Sequence, residues 1–329
     1  MIPMTTSLQK IMNSCITKKK PTEIARWITF ELEFLNNAVF PAWKGRVIRG
    51  AVGNILKKLF CDVRIQECEN CPKNRLCPYG FLFRPSSQYL FLKNLKYFPK
   101  PFSLKPPLEK ERVYKKGSTL KFSIVLFGQA ISYIGVLISA IQSLCLIGIG
   151  KKEKRGKFRI RAVYLENPFR NKKEVLFENG TYYKTKTSIT DSDIERKIRK
   201  DFKITFLTPF RLIRENSLVA DPDFQDLFSF MSRKYSNILQ AYCGLVVKED
   251  FSKLKEFAQG IQKISSNLRK MLFIYTKNGK KYQEYYLIGD IHFYSPSKLK
   301  KRIRRIINFG ILSNIGKRTT FGHGWYRVE

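Results

Sequence analysis

The stretch NFGILSNIGKRTTFGHGWYRV, Asn308 to Val328, decides the reading of this chain. Three glycines, Gly316, Gly322 and Gly324, frame Lys317, Arg318, Thr319 and Thr320, so main-chain amides and cationic side chains are set to crowd around one anion. Glycine admits positive φ and lets the backbone approach a ligand closely, which a phosphate-binding nest requires. Upstream, Ser295-Pro296 reads as a helix start, with serine as cap and proline at the first helical position. Leu299, Ile303, Ile306 and Ile307 then form one apolar stripe of helical period. The opposite face is Lys298, Lys300, Lys301, Arg302, Arg304 and Arg305. A buried stripe backed by cations and followed by a glycine-framed loop points to a polyanion, with Arg302 and Arg305 among its contacts. A solvated basic helix and an ordinary tight turn would account for either feature alone.

Composition supports the polyanion. The 329 residues carry 62 Lys and Arg against 26 Asp and Glu, a formal net charge of +36. Such an excess costs self-repulsion in the folded state and calls for a partner such as nucleic acid. The cations are spread along the chain, so the binding surface belongs to the folded body and not to a tail. With 43% apolar content the length allows one large core or two ordinary ones, and two is the expectation. The start, MIPMTTSLQKIMNSCITKKK, lacks the apolar core and cleavage site of a signal peptide, so a cytoplasmic protein is expected. Phe122 to Gly150 is free of charge and long enough to span a bilayer. Its periodicity breaks at Gly128-Gln129, however, which favours a buried strand followed by a core helix and no membrane partner.

Outward from these stretches, Ile28, Phe30, Leu32 and Phe34 alternate with Trp27, Thr29, Glu31 and Glu33 as in a half-buried strand. Ile48, Val52, Ile55, Leu56 and Leu59 then give a one-sided helix, with Lys44, Arg46 and Arg49 at its positive end. Cys61, Cys68, Cys71 and Cys77 follow with C-x6-C-x2-C-x5-C spacing. Four thiolates satisfy tetrahedral zinc, so this segment, about 61–80, reads as a structural metal insert; an iron–sulfur cluster or free thiols are the alternatives. A proline-rich connection leads to the charge-free segment, which ends in a second glycine-framed basic loop holding Lys151, Lys152, Lys154 and Arg155. Past a polar connection from Glu166 to Lys200, the strand ITFLTPF precedes a helix begun by Asp221-Pro222, whose apolar face runs from Phe224 to Tyr242. The strand YYLIGDIHFY then leads into the final helix and loop. Both halves thus read strand, helix, strand, helix, basic loop, strand. The α+β arrangement expected is two tandem ferredoxin-like (RRM-like) domains, 1–199 with the Cys-rich insert and 200–329 with the glycine-rich loop.

At this point the chain resembles a family. IGKRTTFGHGWY, FPAWKGRVIRGAVG with the cysteine cluster and CPYGFLF, and ITFLTPFRL are similar to stretches of the CRISPR repeat-processing endoribonucleases, members of a superfamily of repeat-associated proteins. The resemblance covers most of the chain, least between Glu166 and Lys200. It implies two ferredoxin-like domains and cleavage of precursor CRISPR RNA within each repeat, without a catalytic metal, by attack of a ribose 2′-hydroxyl on its own 3′-phosphate. A non-catalytic RNA-binding subunit of a CRISPR effector complex is the alternative, and a homodimer is left open. The chemistry asks for a base, for cations around the phosphorane and for an acid at the leaving oxygen. Many members are expected to place a histidine near the first helix, whereas the histidines here are His292 and His323. Either Lys44, Arg46 and Arg49 do the stabilising, or His323 enters from the C-terminal loop, where flanking glycines would let it move. His292 is expected to share a strand face with Tyr286, Asp290 and Tyr294.

Overall fold

The computed structural model describes residues 22–61, 63, 67–86, 99–247, 250–277 and 280–329. The alternating run lies within strand β1, Glu23–Phe34, which leads to helix α1, Lys44–Phe60, and the short helix α2, Pro78–Phe83. Strands β2, Phe102–Lys105, and β3, Thr119–Phe127, precede helix α3, Ile134–Ile147, and strand β4, Phe158–Asn167. The four strands lie in the order β4-β1-β3-β2 in an antiparallel sheet, extended past β4 by β5, Lys172–Glu178. β5 falls in what the sequence presents as a polar connection; its alternation is too weak for the strand to be seen before β4 is there to pair with it.

β1 is the spine. It pairs with β3 from Ala25↔Phe127 to Glu33↔Thr119 and with β4 from Trp27↔Glu166 to Phe34↔Phe158. Its pattern predicts one wet face, yet both are covered. Ile28, Phe30, Leu32 and Phe34 are fully buried, and from the other face Trp27 meets Trp325 of the C-terminal half edge-on at 5.9 Å. Glu31 stays buried because Lys121 at 3.0 Å and Arg161 at 3.6 Å neutralise it from the flanking strands.

The C-terminal half repeats the plan. It comprises β6, Asp201–Phe206; α4, Phe224–Cys243; α5, Phe251–Gln259; β7, Gln262–Ser266; a hairpin of β8, Arg269–Lys277, and β9, Lys280–Ile288; β10, Asp290–Tyr294; α6, Lys301–Ser313; and β11, Tyr326–Val328. The sheet order is β7-β10-β6-β11. In both sheets the first strand sits between the third and the fourth.

Several local expectations change. YYLIGDIHFY is not one strand: Gly289, at φ 138°, breaks it, and a Cβ there would lie 2.0 Å from Asn267 O. The part before the glycine belongs to the β8–β9 hairpin and the part after it to the sheet, so Tyr286 does not share a face with His292. α6 begins at Lys301, because Ser295 Oγ closes a turn on Ser297 O at 2.7 Å instead of capping a helix. α4 begins one turn-step later than Asp221-Pro222, at a capping box of Asp223 and Asp226. The expected apolar face of α4, from Phe224 to Tyr242, is buried.

The buried residues of the two halves form one cluster and not two cores. Phe309 of α6 joins them, 5.3 Å from Phe127 of β3 and 5.3 Å from Tyr235 of α4. The charge-free segment is β3, a 3-10 turn over Gly128–Tyr133, and α3. Gly128–Ile147 is long and apolar enough to cross a membrane, but here Leu137, Ile138, Ile141 and Leu144 are buried within the protein and Leu146 is exposed.

Candidate active site

The start of α1 and the glycine-rich loop touch through main chain. A Cβ on Gly45 would lie 2.2 Å from Phe321 O, so only glycine permits the contact. Trp43 Nε1 donates to the same carbonyl at 3.0 Å. One turn on, Arg49 Nε donates to Thr320 Oγ1 at 3.3 Å, with its guanidinium 4.2 Å from the Phe321 ring and 5.1 Å from that of Phe83. Burial pushes Arg49 down to about 10, with Arg84 and Arg318 adding repulsion, and it stays cationic at neutral pH.

Part of the loop's main chain is committed to the fold. The N–H groups of Ile315, Lys317, Phe321, Gly322 and Gly324 donate to Gly324 O, Arg211 O, Arg318 O, Thr319 O and Pro209 O. Those five amides are spent on holding the loop, which leaves anion recognition to the loop's remaining amides and to side chains. Buried Lys105 and half-buried Lys234 secure the loop from beneath. Lys105 Nζ donates to Ile311 O at 2.6 Å and to Asn314 Oδ1, and Lys234 Nζ donates to Ser313 O, to Asn314 O at 3.2 Å and to Thr319 Oγ1 at 2.7 Å. They satisfy carbonyls at the negative end of α6, where a cation is favoured. Burial pushes Lys234 down to about 7, and burial with repulsion from Lys234 holds Lys105 well below the usual lysine range.

Two cavities flank the loop. One, of about 620 Å³, lies between the α1 start, the loop and the hairpin, with Trp43, Phe273, Tyr275 and Tyr286 among its walls. The other, of about 510 Å³, is lined among the described residues by six cations, Arg49, Lys100, Arg233, Lys234, Lys317 and Arg318, together with Thr319 and Thr320, and by no carboxylate. Arg318, in left-handed conformation at φ 60°, stands between them. It bonds to Tyr275 Oη and, at 2.9 Å, to Glu284 Oε1. Burial raises the Glu284 carboxyl, but the hydrogen bond and charge of Arg318 outweigh this and hold it below the usual range.

An N-terminal-domain family model (AF_1859_N) matches residues 23–189, and the model of the CRISPR-associated endoribonuclease Cas6 matches residues 204–326. The C-terminal part of the chain is thus similar to the Cas6 endoribonucleases. A Cas6 product complex is 14% identical at a TM-score of 0.57 over 93% of this chain and 100% of that one. Thermus thermophilus Cas6 is 13% identical at 0.54 over 94% and 100%. A partial Cas6-RT-Cas1–Cas2 complex is 12% identical at 0.57, over 94% of this chain and 46% of that one. At these identities the likeness is one of fold. No curated protein matches the sequence.

Within this Cas6-like fold the singled-out residues scatter more than their spacing suggests. Lys44 is buried, its amine donating to Glu109 O of the connection before β3, and burial lowers its pKa. Arg46 is exposed and stacks on Tyr275 at 4.8 Å. His323 is not mobile: it is 4% exposed, clamped between Trp43 at 4.3 Å and Tyr286 at 4.4 Å, with Nδ1 3.2 Å from Pro209 O. Burial pushes it down to about 3, so it is neutral at physiological pH. His292 meets Asp201 at the outer end of the second sheet.

Lys151, Lys152, Lys154 and Arg155 form an exposed two-stranded turn. Arg155 shares a groove of about 400 Å³ with Arg46, on the far side of α1 from the glycine loop. Arg305 faces Asp191 at 3.9 Å and Glu195 at 3.7 Å, and Arg302 also has a partner. Cys61, Cys68, Cys71 and Cys77 lie in the lobe between α1 and α2, where Cys61 Sγ turns to Val63 O at 3.0 Å and Cys77 Sγ to Phe60 O at 3.9 Å. Among the described residues no three His, Cys, Asp or Glu side chains converge on a metal position. Sequence reasoning missed Lys100, Lys234 and the hairpin aromatics; a lysine at 234, flanked by the buried Met231 and Tyr235, was the available signal.

Proposed function

We propose that this protein binds CRISPR repeat RNA and cleaves precursor CRISPR RNA within each repeat, without a catalytic metal, by 2′-hydroxyl attack. The six-cation cavity under the glycine-rich loop carries the reading. Cations gathered with no carboxylate repel one another unless a polyanion enters, and a phosphorane gains charge that such groups stabilise. Arg49, joined to Thr320, is set where a phosphate would meet both α1 and the loop, while Lys317 is exposed at the cavity rim. Across the loop, the aromatic walls of the larger cavity suit nucleobase stacking. Arg46 and Arg155 extend the cationic track along the other side of α1. The similar structures include Cas6 product complexes and a Cas6-RT-Cas1–Cas2 assembly, and association with a larger CRISPR complex is proposed on that ground.

The shared strand order supports two ferredoxin-like units, 1–199 and 200–329, with the Cys-rich lobe inserted in the first. The donor chemistry of Cys61, Cys68, Cys71 and Cys77 suits structural zinc, although the thiols as they stand do not close on one point; zinc there is a proposal about stability only. The function is tested by single-turnover incubation of repeat RNA in EDTA. The outcome expected is one cut per repeat leaving a 2′,3′-cyclic phosphate and a 5′-hydroxyl, blocked by a single 2′-deoxy substitution at the scissile nucleotide. Cleavage that needs a divalent ion, or that survives the 2′-deoxy substitution, sinks the mechanism.

A further inference from the structure

Three members of the cation cavity, Lys100, Arg233 and Lys317, have no structural duty among the described residues, and of these Arg233 and Lys317 are exposed while Lys100 is half-buried. Lys234 holds carbonyls, Arg318 holds Glu284, and Arg49 holds Thr320, whereas Lys100 Nζ has no hydrogen-bond or ion-pair partner among the described residues. Its backbone is nonetheless fixed. Pro99 O accepts from Tyr242 Oη at 2.6 Å, Pro101 O accepts from Phe127 N at 3.0 Å, and the flanking prolines restrict φ on either side. An unpaired amine is thus held on a rigid segment at the wall of the cavity that Arg49 and the glycine loop share.

We propose that Lys100 is the proton acceptor for the attacking 2′-hydroxyl, replacing the histidine that the α1 region of this chain lacks. The inference rests on the RNA-cleaving reading above. The neutral amine takes the 2′-hydroxyl proton as O2′ bonds to phosphorus. The P–O5′ bond then breaks, its electron pair stays on O5′, and O5′ takes a proton from water. The lysine returns its proton to the hydroxide so formed. Products are a 2′,3′-cyclic phosphate and a 5′-hydroxyl, and Arg49 stabilises the phosphorane between them.

The surroundings suit an amine that must be neutral part of the time. Arg49 of α1, Arg84 after α2, Arg233 and Lys234 of α4, and Lys317 and Arg318 of the loop face this region, and among the described residues Glu69, already 3.5 Å from Arg84, is the acid that acts on Lys100. Burial, followed by repulsion from Arg49 and Arg84, pushes Lys100 down to about 8. An arginine in that position would keep the charge and could not accept the proton.

The test is single-turnover cleavage of repeat RNA at sub-saturating enzyme across pH 6 to 10, with affinity measured separately on uncleavable 2′-deoxy repeat. Wild-type rates should rise with pH to a limb near the free-enzyme value of about 8. Lys100→Arg should lose about a hundredfold or more in rate together with the limb, at nearly unchanged affinity and melting temperature. Lys100→Ala should be rescued in part by small primary amines, in order of their basicity, which a purely structural residue would not allow. Lys100→Arg cleaving within a few-fold of wild type with the same limb overturns the assignment and leaves the RNA reading intact. Wild-type protein that fails to cut repeat RNA overturns both.

Discussion

His323 illustrates how a residue's neighbours decide its chemistry. Between two glycines it reads as a reachable loop base, but stacking between Trp43 and Tyr286 makes it part of the packing. Unfolded, its imidazole titrates near 6.5; folded, at about 3. Between those values the unfolded chain binds the extra proton, so stability is full above about 6.5 and falls as pH drops toward 3, by at most about 1.4 kcal/mol per pH unit. His323→Gln should therefore melt lower at pH 7 yet decline less steeply than wild type between pH 6.5 and 4.5, and its cleavage limb should persist; parallel declines would refute this. Arg49→Ala should behave differently. Removal of a cation acting on transition-state charge costs about 2–4 kcal/mol of barrier, roughly a hundredfold or more in rate, by analogy with loss of an oxyanion donor. Affinity for the 2′-deoxy repeat should fall by less than about tenfold, and a larger loss of binding than of rate would reassign Arg49 to RNA positioning.

At the scale of elements, the C-terminal end of α6 carries the loop. Lys105→Met keeps the length of the side chain but leaves Ile311 O and Asn314 Oδ1 without their donor, at a cost of about 1–3 kcal/mol. A lower unfolding temperature together with faster proteolysis within 314–324 is the outcome expected; unchanged melting would show that other groups satisfy those oxygens. The Cys-rich lobe between α1 and α2 is the element with least core of its own. If zinc closes it, elemental analysis of chelator-washed protein gives close to one equivalent, and Cys71→Ser lowers stability more than activity per folded molecule. Protein that carries no zinc removes the proposal.

For the molecule as a whole, the net charge of +36 is a statement about salt as much as about partners. Removing one cation that neutralises a phosphate of single-stranded RNA should flatten the slope of log affinity against log salt by about 0.7. Lys317, exposed and without an ion pair among the described residues, should produce that change when replaced by alanine. Arg318→Ala should flatten the slope by less, because Arg318 is already committed to Glu284 and holds the loop against the hairpin. Equal slopes for the two variants would mean that RNA displaces the ion pair.

Sequence alone determined the elements that repeat a period. The stripe of α6, the apolar face of α4 and the break in the charge-free segment are set by local chain geometry, and so they can be read without knowing what they pack against. Glycine spacing likewise located the loop, and charge together with the resemblance set the functional expectation. What no period carries was decided by tertiary structure: that β1 is covered on both faces, that the two halves share one core, that a single glycine turns one apparent strand into a hairpin and a sheet strand. The site belongs to this second class. Arg49, Lys100, Lys234 and Thr320 come from four separate stretches and meet only when the halves dock. Their chemistry follows from that meeting, because burial and like-charged neighbours shift a proton affinity that the side chain by itself does not possess.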